Sequence, residues 1–196
     1  MSKGELTKER VINEATRLIT ARGIGATSVS DLLAATGVAK GSLYYHFPGK
    51  HDLGVAVLEQ AGARFMGFLD QALCGATPGK KLTAFLAAVL VAHREAGFVG
   101  GCIFGNTALE MGDTDAAYGR VVGEVFDRWA ARIEEIVADA QSAGEVRKDL
   151  SPDRVASHIV AALEGGIMLS RLKKDEEPLA TSVECLVAFL QPPKSV

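Results

Sequence analysis

The stretch SVSDLLAATGVAKGSLYYHFPGK, Ser28 to Lys50, decides the fold. The Ser28 hydroxyl can accept from the backbone N–H of Asp31, and Asp31 is the acid of an S-x-x-[DE] capping box, so a helix opens there. Gly37 interrupts it after two turns. A second short helix is expected from about Ala39 to Phe47, with Pro48-Gly49 ending it. Two short helices about a tight turn at Thr36-Gly37-Val38 are a helix-turn-helix pattern, covering about residues 28–47. Leu32, Leu33, Val38, Leu43 and Phe47 can pack inward against Val11, Ala15 and Leu18 of a preceding helix. That helix is expected over Thr7–Arg22, with Gly23 as its stop.

The outer side of the second short helix is chemically pointed. Lys40, Ser42, Tyr44, Tyr45 and His46 offer a cation, a hydroxyl, two phenols and an imidazole within seven residues. Gly41 lets a partner surface come close. Tyr44, Tyr45, His46 and Phe47 are consecutive, so on a helix they point in all directions and cannot all be core. Phe47 is the inward candidate. Duplex DNA needs this mix of groups, since cations and N–H groups at a helix start bind phosphates while a helix enters the major groove.

Beyond this segment the helices lengthen. They are expected over Lys50–Leu73, Pro78–Ala96, Cys102–Met111, Asp115–Ala143, Pro152–Lys174 and Pro178–Leu190. Thr77-Pro78 and Ser151-Pro152 each read as a hydroxyl N-cap followed by a first-turn proline. No run alternates apolar and polar residues around a hairpin turn. The expected class is therefore all-α, with nine helices.

The chain has 196 residues, of which 48% are hydrophobic and 23% charged, ordinary for a globular protein. Its net charge of −3 hides an asymmetry. Residues 1–50 hold seven Lys/Arg against four acids, whereas the remainder carries fourteen basic and twenty acidic residues. This suggests a small basic module on a larger acidic body. The N-terminus lacks the apolar stretch of a secretory signal. Apolar runs such as Leu82–Ala92 are too short to span a bilayer. The three cysteines, Cys74, Cys102 and Cys185, are far apart and odd in number, which argues for reduced thiols. A soluble cytoplasmic protein without a membrane partner is expected.

The run ATSVSDLLAATGVAKGSLYYHF with the following lysine, together with RLITARG before it and K-x-D-L after it, resembles the N-terminal domain of the TetR family of transcriptional repressors. The resemblance covers about Lys8 to Glu59. It implies a nine-helix TetR-like fold, with a three-helix DNA-binding domain at 1–49 and a ligand-binding and dimerisation domain at 50–196. It implies that Ser28 caps the second helix and touches a phosphate, and that Lys40, Gly41 and Ser42 open the recognition helix. Tyr44 and Tyr45 match aromatic positions that reach the DNA backbone or thymine methyls; His46 and Lys50 match phosphate contacts. Pro48 stands where many members carry a polar residue.

The resemblance further implies a homodimer on a palindromic double-stranded operator, with helices four to seven enclosing a small-molecule inducer. The segment Gly101 to Asn106 also resembles a G-C-x-x-x-N signature of one TetR-like subset. Cys102, Asn106 and Glu110 lie at four-residue steps and share one helix face. With Phe65, Phe68, His93, Phe98, Met111, Phe126, Trp129 and Met168 they are candidates to line an apolar cavity for an apolar or amphipathic effector. Plain core is the competing reading for each. On the last two helices, Val155, Ile159, Leu163 and Ile167, with Val183, Leu186, Val187 and Leu190, form two stripes. These fit a symmetric four-helix dimer interface or a simple cover for the core.

Other functions have less support in the residues. Cys102 admits a redox-sensing repressor, although no partner stands at C-x-x-C spacing. An activator of the same fold, or a helical enzyme with an architectural helix-turn-helix, are further alternatives. His46, His51, His93 and His158 form no metal-ligand pair, so no metal and no cofactor are expected. No G-x-S-x-G and no phosphate-binding glycine loop of P-loop or Rossmann spacing is present, so no catalytic residue is assigned.

Overall fold

A computed structural model describes residues 2–192. Among them lie nine helices and no strand: α1 (Lys3–Arg22), α2 (Val29–Thr36), α3 (Lys40–His46), α4 (Lys50–Ala72), α5 (Pro78–Glu95), α6 (Ile103–Met111), α7 (Ala116–Ser142), α8 (Pro152–Lys173) and α9 (Glu177–Leu190).

Local chemistry explains where most helices begin. The Ser28 hydroxyl accepts from the Asp31 N–H at 3.1 Å, and the Asp31 carboxylate accepts from the Ser28 N–H at 2.8 Å, closing the expected capping box. At the other end of α2, Gly37 takes the left-handed conformation (φ 65) and its N–H reaches the Leu33 carbonyl at 2.9 Å. Thr77 caps α5 with Pro78 in the first turn. One start and one cap differ from expectation. α1 begins at Lys3 rather than Thr7, because Ser2 and Glu5 form a second capping box. Ser151 stands at the N-cap of α8, but its side chain makes no capping hydrogen bond. Asp115 holds the start of α7 by accepting from the N–H groups of Ala117 and Tyr118 at 3.0 and 3.2 Å.

The chain forms two compact units. The first comprises residues up to 64 together with 102–125. It runs past the boundary expected at residue 49 and takes in α6 and the start of α7. Its core includes Val11, Ala15, Ile19, Leu32, Leu43, Phe47, Leu53 and Val57, all buried. Each buried Val, Leu, Ile or Phe side chain among these contributes about 1.5–3 kcal/mol through its removal from water. The predicted inward face of the helix-turn-helix is thus the observed one at Leu32, Leu43 and Phe47, while Leu33 and Val38 are half-buried.

The second unit comprises residues 65–101 and those from 126 onward. Here α8 packs on α9, which also meets α5. Val155, Ile159, Leu163 and Ile167 of α8 and Val183, Leu186 and Leu190 of α9 are buried within the single chain, and Val187 is half-buried. The stripes expected between protomers therefore belong to the chain's own core. The cause is close helix contact: a Cβ at Gly166 would meet Leu179 Cα at 3.2 Å and Ser182 Cβ at 2.9 Å. Contrary to expectation, α8 is long and apolar enough to cross a bilayer by length and composition. Its apolar stripe is nonetheless committed to this packing.

Candidate nucleic-acid interface

The α2–turn–α3 frame presents a short, wet, polar ridge. Leu43 anchors α3 inward and Phe47 follows it into the core, both at 3% exposure, so the intervening residues turn outward. Tyr45 is 83% exposed and Tyr44 41%, values far above those of any buried aromatic in the chain. An aromatic ring held this far into water serves no packing role in its own unit. The Lys40 ammonium lies 5.9 Å from the centre of the Tyr44 ring, which keeps the cation on the same ridge. His46 is half-buried and sits edge-on to Tyr45, with ring centres 5.1 Å apart. Around Gly41 a Cβ would meet nothing within 4 Å, so the start of α3 stands in open space. Ser42 is half-buried beside it.

Two of the expected phosphate contacts have partners within the protein. The Ser28 hydroxyl donates to the Asp31 carboxylate at 2.6 Å while accepting the Asp31 N–H. These hydrogen bonds from the Ser28 side chain and backbone hold the Asp31 carboxyl below its ordinary pKa. Lys50, at the start of α4, donates to the Gly25 carbonyl at 3.2 Å. Ser28 remains exposed and Lys50 half-exposed, so both groups stand beside the ridge but are already hydrogen-bonded.

The candidate effector residues fall into distinct surroundings. In the second unit Phe65, Phe68, Phe126 and Trp129 cluster with Phe85. Trp129 stacks on Phe126 at 6.0 Å between ring centres and meets the edges of Phe65 and Phe85 at 5.0 and 6.3 Å. Trp129 is 2% exposed, and its indole N–H meets no acceptor among the described residues. His93 is half-buried, and burial pushes its imidazole below the ordinary pKa, favouring the neutral form. Phe98 is buried, and its carbonyl accepts from the Lys174 ammonium at 3.4 Å. Met168 lies at the surface instead, 51% exposed on the outer face of α8. A hollow of about 350 Å³ in the same unit is lined by Thr77, Gly79, Lys80, Thr83, Glu145, Val146, Leu190 and Gln191. None of the candidate effector residues is among them.

In the first unit Cys102 takes the N-cap position of α6, half-buried, with Asn106 one turn on and Met111 at the far end, both also half-buried. Among the described residues, Cys74, Cys102 and Cys185 form no disulfide. Glu110 does not face a cavity. Its carboxylate accepts from the Ile24 and Gly25 N–H groups at 2.9 and 2.6 Å, in the turn between α1 and α2. Four-residue spacing placed it on the face of Cys102 and Asn106, yet the backbone amides of a distant turn hold its oxygens. A second pairing that the sequence did not announce joins α4 to α7. His51 Nε2 lies 3.1 Å from Asp115, and the Tyr118 hydroxyl donates to the His51 carbonyl at 3.3 Å.

Comparison with known proteins agrees with this geometry. Residues 11–57 match the family described as "Bacterial regulatory proteins, tetR family", and residues 78–186 match "Tetracyclin repressor-like, C-terminal domain". The transcriptional regulator AcuR of Cereibacter sphaeroides is 30% identical over 89% of this chain and 80% of its own. The HTH-type transcriptional repressor DhaR of a Mycobacterium species is 26% identical over 88% of this chain and 86% of its own. A crystal structure of a TetR transcriptional regulator from Chloroflexus aurantiacus superposes with a TM-score of 0.88 at 33% identity, covering 96% of each chain.

Proposed function

The chain belongs to the TetR family of bacterial transcriptional regulators, and from that membership we propose that it is a homodimeric repressor acting on a palindromic operator in the cytoplasm. One observation carries the reading: α3 exposes Tyr44, Tyr45 and Lys40 on one ridge, while its opposite side is locked into a capped helix-turn-helix. In this reading α3 enters the major groove, with Lys40, Gly41 and Ser42 meeting bases or phosphates at its start. Tyr44 and Tyr45 meet the backbone or thymine methyls. His46, Ser28 and Lys50 meet phosphates along the flank. Two copies place their ridges about 34–36 Å apart, the spacing of successive major grooves on one face of the duplex.

The outer face of α8 supports self-association. With the inner stripe covered, Met168, Leu169 and Leu172 remain 51, 41 and 76% exposed. A second copy laid against them removes that surface from water. The aromatic cluster around Trp129 supports a small apolar or amphipathic effector whose binding releases the operator. Carrying a two-state population from 99:1 to 1:99 takes about 5.5 kcal/mol of differential affinity.

The test is fluorescence anisotropy of the purified protein on duplex fragments from its own upstream region, with the complex mass read in parallel. The expected result is saturable binding, two protomers per site, and affinity that falls steeply with salt. Failure to bind any fragment at low ionic strength overturns the reading.

A further inference from the structure

The turn between α1 and α2 is gripped from two sides. Glu110, in the last turn of α6, reaches 86 residues back to accept from the Ile24 N–H, and its other oxygen accepts from the Gly25 N–H. Two adjacent amides donating to the two oxygens of one carboxylate is a bidentate, charge-assisted arrangement, about twice as strong per bond as its neutral counterpart. The carbonyl of the same Gly25 accepts from Lys50. The turn is built to admit the carboxylate: a Cβ at Gly23 would lie 2.6 Å from a Glu110 oxygen, and one at Gly25 2.8 Å from the other. Gly23 ends α1 at φ 89, which favours glycine on its own account, whereas at Gly25 it is the close approach of Glu110 that calls for a small residue.

The path of the chain gives this contact a consequence. Within the first unit, α6 is a nine-residue helix about 13 Å long whose last turn meets the turn preceding α2 and α3.

We propose that Glu110 is the positioning residue through which α6 sets the operator-reading helices: its carboxylate holds the Ile24–Gly25 turn, and with it α2 and α3, in the arrangement that fits DNA. The proposal rests on the operator-binding reading above. Glu110 touches no DNA and no effector; it acts through the turn.

The experiment is a double-mutant cycle on the full-length protein. Glu110→Ala removes the carboxylate. Gly25→Ala displaces it, and because Gly25 lies outside the left-handed region, the added methyl strains only the contact with Glu110. Each protein is measured by anisotropy on a duplex that the wild type binds from its upstream region, with thermal melts and dimer mass alongside. Each single variant is expected to bind about tenfold more weakly (about 1.4 kcal/mol) with dimer mass unchanged. The double variant is expected to be no weaker than either single one, since both break one interaction. Glu110→Gln, which keeps one acceptor, is expected to fall between. Unchanged affinity in Glu110→Ala overturns the proposal, as do losses that multiply to about a hundredfold in the double variant. Amide hydrogen exchange reads the contact without DNA: Ile24 and Gly25 exchange slowly in the wild type and faster in both variants. If the wild type binds no duplex, the operator reading fails by itself; equal exchange rates in wild type and variants overturn the proposal.

Discussion

The Lys50 ammonium donates to the Gly25 carbonyl across 3.2 Å, tying the start of α4 to the turn before α2. In the proposed reading the same cation meets a phosphate, so operator binding would trade a neutral carbonyl for an anion. Lys50→Met is expected to weaken binding to all duplexes by a similar factor. It is also expected to lower the slope of log affinity against log salt by about one, as loss of a single phosphate contact does. Anisotropy titrations between low and moderate salt check both.

Tyr45 projects into water, and its removal costs the fold little. Tyr45→Ala is expected to leave the melting curve within about 0.5 kcal/mol of the wild type, the usual range for a surface change. Operator affinity is expected to fall by about 1–3 kcal/mol. Tyr45→Phe separates the roles of ring and hydroxyl: retained affinity assigns the contact to the ring, and lost affinity to a hydrogen bond with the backbone. Leu43→Ala, on the buried side of the same helix, is expected to do the reverse. It should lower stability by about 2–5 kcal/mol.

The capping box of α2 predicts a pH dependence. Because Ser28 holds the folded Asp31 carboxyl below its ordinary pKa, the unfolded chain takes up that proton first as pH falls. The stabilisation is therefore present above the ordinary carboxylate range and lost as pH drops through the lower folded value. Denaturation of wild type and Asp31→Asn across pH 6 to about 2.5 should show curves that converge at the acid end. At neutral pH, Ser28→Ala is expected to cost about 1 kcal/mol, the usual value of a lost hydroxyl cap.

Trp129 is the single tryptophan of the chain and lies among Phe65, Phe85 and Phe126. Its emission is expected to be blue-shifted in the native protein and to move red on unfolding. A compound that releases the operator by entering this cluster is expected to quench or shift that emission with the same midpoint. Release with no spectral change would move the effector site elsewhere, with the hollow beside Thr77 and Glu145 the next place to look.

How much of this was legible in the sequence depends on how local each determinant is. Ser28, Asp31, Gly37 and Pro48 act on neighbours within four residues, so α2, the turn and α3 follow from the residues alone. The resemblance then gives the outer ridge its meaning. Ser2 and Glu5 carry the same local signal, and a start at Thr7 overlooks it. The apolar stripes of α8 and α9 are also legible as stripes. Which surface covers them is not, because that depends on the close approach at Gly166, a tertiary fact. Glu110 is the clearest case. Its helical spacing pointed toward Cys102 and Asn106, whereas the groups that bind it lie in another element. Gly23 reads locally as the stop of α1, and only the fold shows that Gly25 lies against a Glu110 oxygen.

The first unit draws on two separated stretches of chain, 2–64 and 102–125, and this limits how its parts can be moved between proteins. A chimera that transplants only the segment up to Lys50 leaves Glu110 behind, and with it the carboxylate that accepts from Ile24 and Gly25. A graft that keeps operator preference intact must carry both stretches, so exchange of reading heads among relatives is expected to succeed in matched pairs of segments rather than as a single cut.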